Sequence, residues 1–412
     1  MSTTINVSVT SPADWKYISE GGSSIVFSYA GPASPYFTGT ALRLRKTSTA
    51  SGQVDLPVLH DTPDEEEPDD PTIVFQRRVT QRLVPEEYLP RLVSANVTEP
   101  WLSELHEIHN EHRPQARRGK DGIAVKKAKA VLADDLVGGE GFVVEIKPKW
   151  GFLPSSVHLS PRSKLTKTTT CRFCMHAHLK STDGKDVSLG YCPLDLFSGD
   201  KVRVMKAMHN LWDAWIGSSG QVNNLRVFVG GTMLKPTSLV RPQHFGDPTL
   251  SDLRDAFTAA LLPALLQTPI LQKLSNLQQT LDPLDIEGLT ALWSEASETA
   301  IPPLGQGLAE PTLSDWDAFL DVYHTKHSTM DHDHPDVANL RYYCLAYLLS
   351  ASFKDCSIMI RVKPGGETSV AVIDLDVKPI DRLHKWALLD AEIVQAYEGI
   401  AEPTKCVDRW AM

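Results

Sequence analysis

The chain lacks a GxxxxGK[ST] phosphate loop, an HRDxxxxN segment and a DFG triplet, which excludes P-loop nucleotide hydrolases and ordinary protein kinases. No apolar run approaches the roughly 20 residues that span a bilayer; the longest, around Ala259 to Leu266, is broken by Pro263. The opening MSTTINVSVTSPADW has neither the basic n-region nor the apolar core of a signal peptide. Cysteine is scarce: six thiols are scattered over 412 residues, too few for a disulfide framework, so a reducing, intracellular compartment without membrane attachment is expected. The net charge is −10, and few aromatics interleave the basic residues (Trp150, Phe152 and Phe173 are the main ones). Both facts argue against a nucleic-acid partner. What remains is 42% hydrophobic and 22% charged, the composition of a globular protein. Its length favours two domains over one core.

Residues 14–46 read as strand, glycine turn, strand and a further strand, ALRLRK. An acidic Pro-containing run, DTPDEEEPDD, reads as a solvated loop. Helical character is expected from Pro85 to Arg113, then a strand, AVLADDLV. The GGEG break after it places a boundary near Leu136 to Gly141, giving an N-terminal lobe over 1–137 and a C-terminal lobe over 138–412. The second region opens with FVVEIKPK, passes through a helical CRFCMHAHLK and a strand NNLRVFVGG, and is helical from about 250 to 350, with a helix start near Ser251. It closes with a hairpin, SIMIRV-KPGGE-TSVAVIDLDV, and a terminal helix. The fold class is α+β.

Three groups could carry chemistry. Glu20-Gly21-Gly22-Ser23-Ser24 lies between strands, where glycine lets backbone N–H groups approach phosphate oxygens; Arg43 and Arg45 share a face of a later strand. A plain hairpin turn fits the same residues. In Glu145-Ile146-Lys147-Pro148-Lys149 the charged positions alternate onto one face, and two lysines side by side repel unless an anion lies between them. Around this element Arg113, Arg117, Arg118, Lys120, Lys126, Lys127 and Lys129 precede, and Arg162, Lys164, Lys167, Arg172 and Lys180 follow. An acidic protein that gathers cations in one stretch is suited to a compact polyanion. In the closing hairpin, Asp355 precedes the first strand and Asp374 ends the second, so antiparallel pairing brings both carboxylates to one end. One can accept a hydroxyl proton while the other holds Mg²⁺ on ATP; two solvated loop aspartates fit equally.

Two patterns carry metal-ligating types. Cys171-x-x-Cys174-x-His176-x-His178 is spaced too tightly for a usual zinc finger. His324, His327, His332 and His334, with Asp331 and Asp333 between them, read as a polar loop that could take a metal.

The segments EIKPKWGF, CRFCMHAHLK, YCPLDLFSGD, NNLRVF, KDCSIMI and IDLDVKP, in this order, resemble the inositol-pentakisphosphate 2-kinase family, in its fungal form. The resemblance implies a two-lobed, distantly protein-kinase-like fold with a small β-rich N-lobe and a larger α+β C-lobe. It implies ATP-dependent phosphorylation of the 2-hydroxyl of inositol 1,3,4,5,6-pentakisphosphate to the hexakisphosphate (phytate), by a chain expected to act as a monomer in the nucleus, the cytoplasm or both. By motif position, Gly21, Gly22, Ser23, Ser24, Arg43, Asp134, Asp135, Leu136, Glu145, Lys147, Arg226 and Asp374 face ATP, with Asp374 the Mg²⁺ ligand. Lys149, His176, Lys180, Asn223, Lys378 and Arg382 match positions on the substrate; Arg117 is a further one, with Arg118 as its alternative. Asp355 matches the base. Plant members carry a structural zinc on two cysteines and two histidines. No cysteine lies between Cys192 and Cys344 here, so that site is absent in that form and structural zinc is not expected. The rival reading is an inert inositol-polyphosphate scaffold, which would need the cations but not the aspartates.

Overall fold

A buried Leu42 and Leu44 alternate with part-exposed Arg43 and Arg45 along a nine-residue strand, the period-two pattern of a sheet with one face on a core. The computed structural model describes residues 5–48, 67–239, 249–296 and 302–408; residues 61–66 of the acidic run lie outside them. The chain is α+β. Contacts divide it into one unit of Met1–Arg77, Pro90–Phe142 and Phe228–Met233, and another of Arg78–Leu89, Val143–Val227 and Leu234–Met412.

The first unit holds β1 (Ile5–Asn6), β2 (Trp15–Glu20), β3 (Ser24–Tyr29), β4 (Thr40–Ser48), β5 (Leu92–Asn96), β6 (Asp121–Ile123) and β7 (Lys129–Asp134). Their order is β1-β5-β7-β4-β3-β2, with β6 on the far end of β4; only the β1–β5 pair is parallel among the registers described. Trp15, fully buried, anchors the core with ring edges on Tyr29, Phe37 and Trp101 at 5.2, 6.0 and 6.4 Å. The helix expected across Pro85 to Arg113 is instead a 3₁₀ turn, strand β5 and a helix confined to Glu99–His109. Pro90 denies a helical conformation to the residue before it, and Pro100 can sit only in a first turn.

In the second unit, β8 (Phe142–Ile146), β9 (Leu225–Val229), β11 (Ser357–Val362) and β12 (Thr368–Ile373) run in the order β9-β8-β11-β12. The short β10 (Thr232–Met233), which falls in the first unit together with Phe228 and Val229, pairs antiparallel with those two residues. The helix predicted from near Ser251 runs from Leu250, with Thr249 two residues earlier as its N-cap in a capping box: Thr249 takes the Asp252 N–H and Asp252 takes the Thr249 N–H. The helix Leu340–Asp355 is buried through almost all of Tyr343–Lys354, so it is a core rod whose C-terminal residue is Asp355. Lys354, just before it, is buried against Asp282 (2.6 Å) and lies 4.0 Å over the Trp150 ring. A second buried cation, Lys167, is held by Asp285 at 2.5 Å and Asp390 at 2.8 Å.

Candidate active site

The end of β8 builds the site. Beyond Ile146 the backbone stays tied to the start of β9: the Lys147 N–H donates to the Asn224 carbonyl (3.0 Å), and the Asn224 amide donates back to the Lys147 carbonyl (3.1 Å). Glu145 is buried, accepting the Ser357 hydroxyl at 2.9 Å and the Arg226 guanidinium at 3.2 Å. Lys147 reaches Asp374 Oδ2 at 3.0 Å, and the Ser357 hydroxyl, whose one proton Glu145 and Asp374 share, lies 3.1 Å from the same oxygen. Burial alone would lower the Lys147 pKa, but the charges of Asp374 and then Glu145 outweigh it and raise it. Lys149 turns into the left-handed region (φ 67°) and meets Asp355 Oδ1 at 2.9 Å.

Both aspartates stand at the paired end of the last hairpin, where Ser357 faces Ile373. Asp355 ends a helix rather than lying in a loop. Its second oxygen accepts from Lys378 at 3.1 Å. Partial burial raises its pKa, but Lys149 and Lys378 outweigh that and hold the carboxyl at about 2. Asp374 also has positive φ, 62°. Lys149 and Asp374 are two of only four non-glycine residues in this region among those described, a conformation costing about 1–3 kcal/mol that clusters where side chains must be aimed.

The helix Arg172–Thr182 turns Met175 and Leu179 onto Ile393 and Tyr397 and carries His176 and Lys180. Burial lowers the Lys180 pKa, and so do Lys149, Lys185 and Arg172. The same causes push His176 down to about 4, burial first, then Lys180, Arg172, Lys149 and Lys185. These groups form a concentration of positive charge around the Lys149 ammonium. Arg382 is exposed at the start of the terminal helix, and Asn223 is exposed beside the clamping Asn224.

In the first unit the glycine turn joins β2 to β3. Gly21, Gly22 and Ser23 are exposed, and a Cβ at either glycine would meet nothing within 4 Å. The turn is closed by the Gly21 N–H on the Ser24 carbonyl (2.9 Å), and the Lys46 N–H donates to the Ser23 carbonyl (3.0 Å). Arg117 donates to the Gly21 carbonyl, whereas Arg118 is bound to the Glu111 and Arg113 carbonyls. Beneath the turn, the Glu20 side chain, itself buried, accepts from Arg113 Nε (3.0 Å) and Nη2 (2.8 Å). Arg43 is half-buried on β4 between Val26 and Val131. Asp134 caps the Arg91 N–H (2.8 Å), Asp135 accepts from the Val137 and Gly138 N–H groups (2.9 and 2.8 Å), and Leu136 follows, half-buried.

The family model described as inositol-pentakisphosphate 2-kinase matches residues 17–392. The chain belongs to that family. A relative of that name from Cryptococcus neoformans is 37% identical over 406 residues, covering 93% of each chain. The Arabidopsis thaliana protein of the same name is 27% identical over 455 aligned positions, again 93% of each. The one from Danio rerio is 28% identical over 332, covering 62% of this chain and 66% of the fish protein.

In this family member the basic stretch read from sequence is in part neutralised from within. Arg113 pairs with Glu20 and Asp121, Lys127 with Glu67, Lys129 with Asp69, Arg162 with Glu398, and Lys167 with three carboxylates. Local composition shows cations but not the distant acids that fold onto them. The histidine loop is a ring network: His327 meets the Tyr342 hydroxyl (2.9 Å), His332 the Tyr343 hydroxyl (3.2 Å), and the two imidazoles lie 4.4 Å apart. Sequence reading missed Ser357, Asn224 and the Glu20–Arg113 pair. Ser357 was open to detection, since it opens the first strand of the closing hairpin and faces Ile373, the neighbour of Asp374. Asn224 and Arg113 carry no local signal, because their partners are 77 and 93 residues away.

Proposed function

We propose that the chain transfers the γ-phosphoryl group of ATP to the 2-hydroxyl of inositol 1,3,4,5,6-pentakisphosphate, giving the hexakisphosphate and ADP. The observation that carries this is the pair of carboxylates at one hairpin end, each held by a lysine of a single strand end: Lys147 on Asp374 at 3.0 Å and Lys149 on Asp355 at 2.9 Å. We read the first unit as the small, ATP-binding lobe of a distantly protein-kinase-like fold and the second as the substrate lobe. In the small lobe Gly21, Gly22, Ser23 and Ser24 cover the ATP phosphates. Arg43 supplies a cation from β4, and Asp134–Leu136 is the hinge.

Glu145, Lys147 and Arg226 orient the nucleotide. Asp374 is a half-exposed hard oxygen donor of the type Mg²⁺ takes, and it would hold the ion. Bound there, Mg²⁺ would offset the charge of the transferring phosphoryl group. Asp355 accepts the proton of the 2-hydroxyl and aims that oxygen. A carboxylate held at about 2 is a weak base, which suits a loose transition state in which positioning outweighs deprotonation. Lys149, His176, Lys180, Lys378 and Arg382, with Arg117 and Asn223, grip the substrate phosphates; lysine and arginine act there as point-charge and forked donors.

The test is conversion of the pentakisphosphate with ATP and Mg²⁺, read by anion-exchange chromatography. Asp355→Asn is expected to lose about 10²–10⁴-fold in kcat while still binding hexakisphosphate. Wild-type turnover in that variant would remove the assigned base.

A further inference from the structure

The fold gathers four thiols that lie far apart in sequence. Cys171, Cys174, Cys192 and Cys406 place their sulfurs within 4.8 Å of one another, all as free cysteines. We propose that they form a structural zinc site, reversing the expectation from spacing. His176 and His178, the ligands the sequence offered, serve elsewhere: His178 packs edge-on against Tyr397 at 5.5 Å, and His176 lies among the cations.

The geometry fits one tetrahedral ion. Four points no more than 4.8 Å apart share a centre within about 3 Å of each, so a contraction of about 0.6 Å per sulfur reaches the zinc–thiolate length of about 2.3 Å. Cys171 and Cys192 sulfurs are 3.9 Å apart, close to the separation two ligands of one zinc require and about twice a disulfide bond. No carboxylate or imidazole belongs to the set, and an all-thiolate tetrahedron selects zinc over magnesium or calcium. The surroundings suit the charge. Cys171 caps the helix Arg172–Thr182, accepting the Cys174 N–H at 3.5 Å, so the helix N-terminus faces the sulfurs. Arg203 donates to the Leu194 and Val407 carbonyls at 3.0 and 2.6 Å, setting a cation beside the two segments. Cys171 and Cys192 are buried while Cys174 and Cys406 are part-exposed, which leaves a route for the ion.

Such an ion would join three segments: the start of that helix, the Cys192 turn and the tail after the terminal helix. The tail is already docked, with the Cys406 N–H on the Thr169 carbonyl (2.8 Å) and the Leu153 N–H on Asp408 (2.6 Å). The metal would then lock what these hydrogen bonds align.

Full-length protein purified without added metal and analysed by inductively coupled plasma mass spectrometry should carry about one zinc per chain. Cys406→Ser should lose most of that zinc and several degrees of thermal stability; Cys344→Ser, a buried thiol outside the set, should keep its zinc. Because Cys406→Ser could fail to fold, wild type is also stripped with an organomercurial and reloaded with Co²⁺, which should give the charge-transfer and d–d bands of a tetrahedral tetrathiolate. Absence of zinc, iron in its place, a Cys171–Cys192 disulfide in the native protein, or cobalt spectra without thiolate charge transfer would each overturn the assignment.

Discussion

His176 shows how the electrostatics of the proposed substrate cradle are set. Burial and then the charges of Lys180, Arg172, Lys149 and Lys185 hold its pKa at about 4, against an ordinary 6.5. Between those values the unfolded chain binds a proton that the folded one excludes. This group's contribution is therefore complete above pH 6.5 and declines as pH falls toward 4. A bound polyanion cancels the cationic part of the shift. Adding inositol hexakisphosphate is expected to raise the His176 pKa in a proton NMR titration, assigned with His176→Asn, and to leave His327 unmoved. His327 is also lowered to about 4, but by burial first and then His332. A His176 pKa indifferent to the ligand would take this side chain out of the cradle. At this scale much was legible: the residue types and period-two spacing of Glu145, Lys147 and Lys149 announced a charged strand end. Their partners were not, because the buried acids that pair with Arg113 and Lys167 lie on other elements.

The glycine turn is an element held from below. Glu20 and Arg113 have side chains 1% and 2% exposed, and removing Arg113 leaves the buried Glu20 carboxylate only the longer pair with Lys46 at 3.5 Å, a loss of up to about 3–5 kcal/mol. Arg113→Ala is expected to lower the thermal midpoint strongly and, by loosening the turn, to raise KM for ATP. Arg118→Ala, which loses only carbonyl contacts, should change neither by much. Equal melting of Arg113→Ala and wild type would show that the pair does not support the turn. The closing hairpin could be read residue by residue, because its register follows from one turn near Gly365 and Gly366. The region after Pro85 misled, because the Leu92–Asn96 strand pairs with β7, some 37 residues on, and that pairing overrides a weak local helical pattern.

Across the whole molecule, a net charge of −10 would repel a polyphosphate, and only the local arrangement reverses this. Inositol hexakisphosphate at about 100 times its Kd is expected to add about 2.7 kcal/mol to folding stability. Differential scanning calorimetry checks this, and the gain should shrink as ionic strength rises, since part of the cradle is open to solvent. Stabilisation independent of salt would point to contacts other than charge. The assembly of Cys171, Cys174, Cys192 and Cys406 was not legible in the sequence, because only closure of the chain brings residue 406 beside residue 171.

Asp355 is bracketed by Lys149 at 2.9 Å and Lys378 at 3.1 Å, the same two ammoniums assigned to grip phosphate. Acceptor recognition and activation of its hydroxyl then draw on shared groups: each phosphate that engages a lysine loosens that lysine's hold on the carboxylate and makes it a better proton acceptor. An inositol lacking one of those phosphates would leave the carboxylate clamped, so the enzyme would discriminate against under-phosphorylated inositols through slower turnover more than through weaker binding.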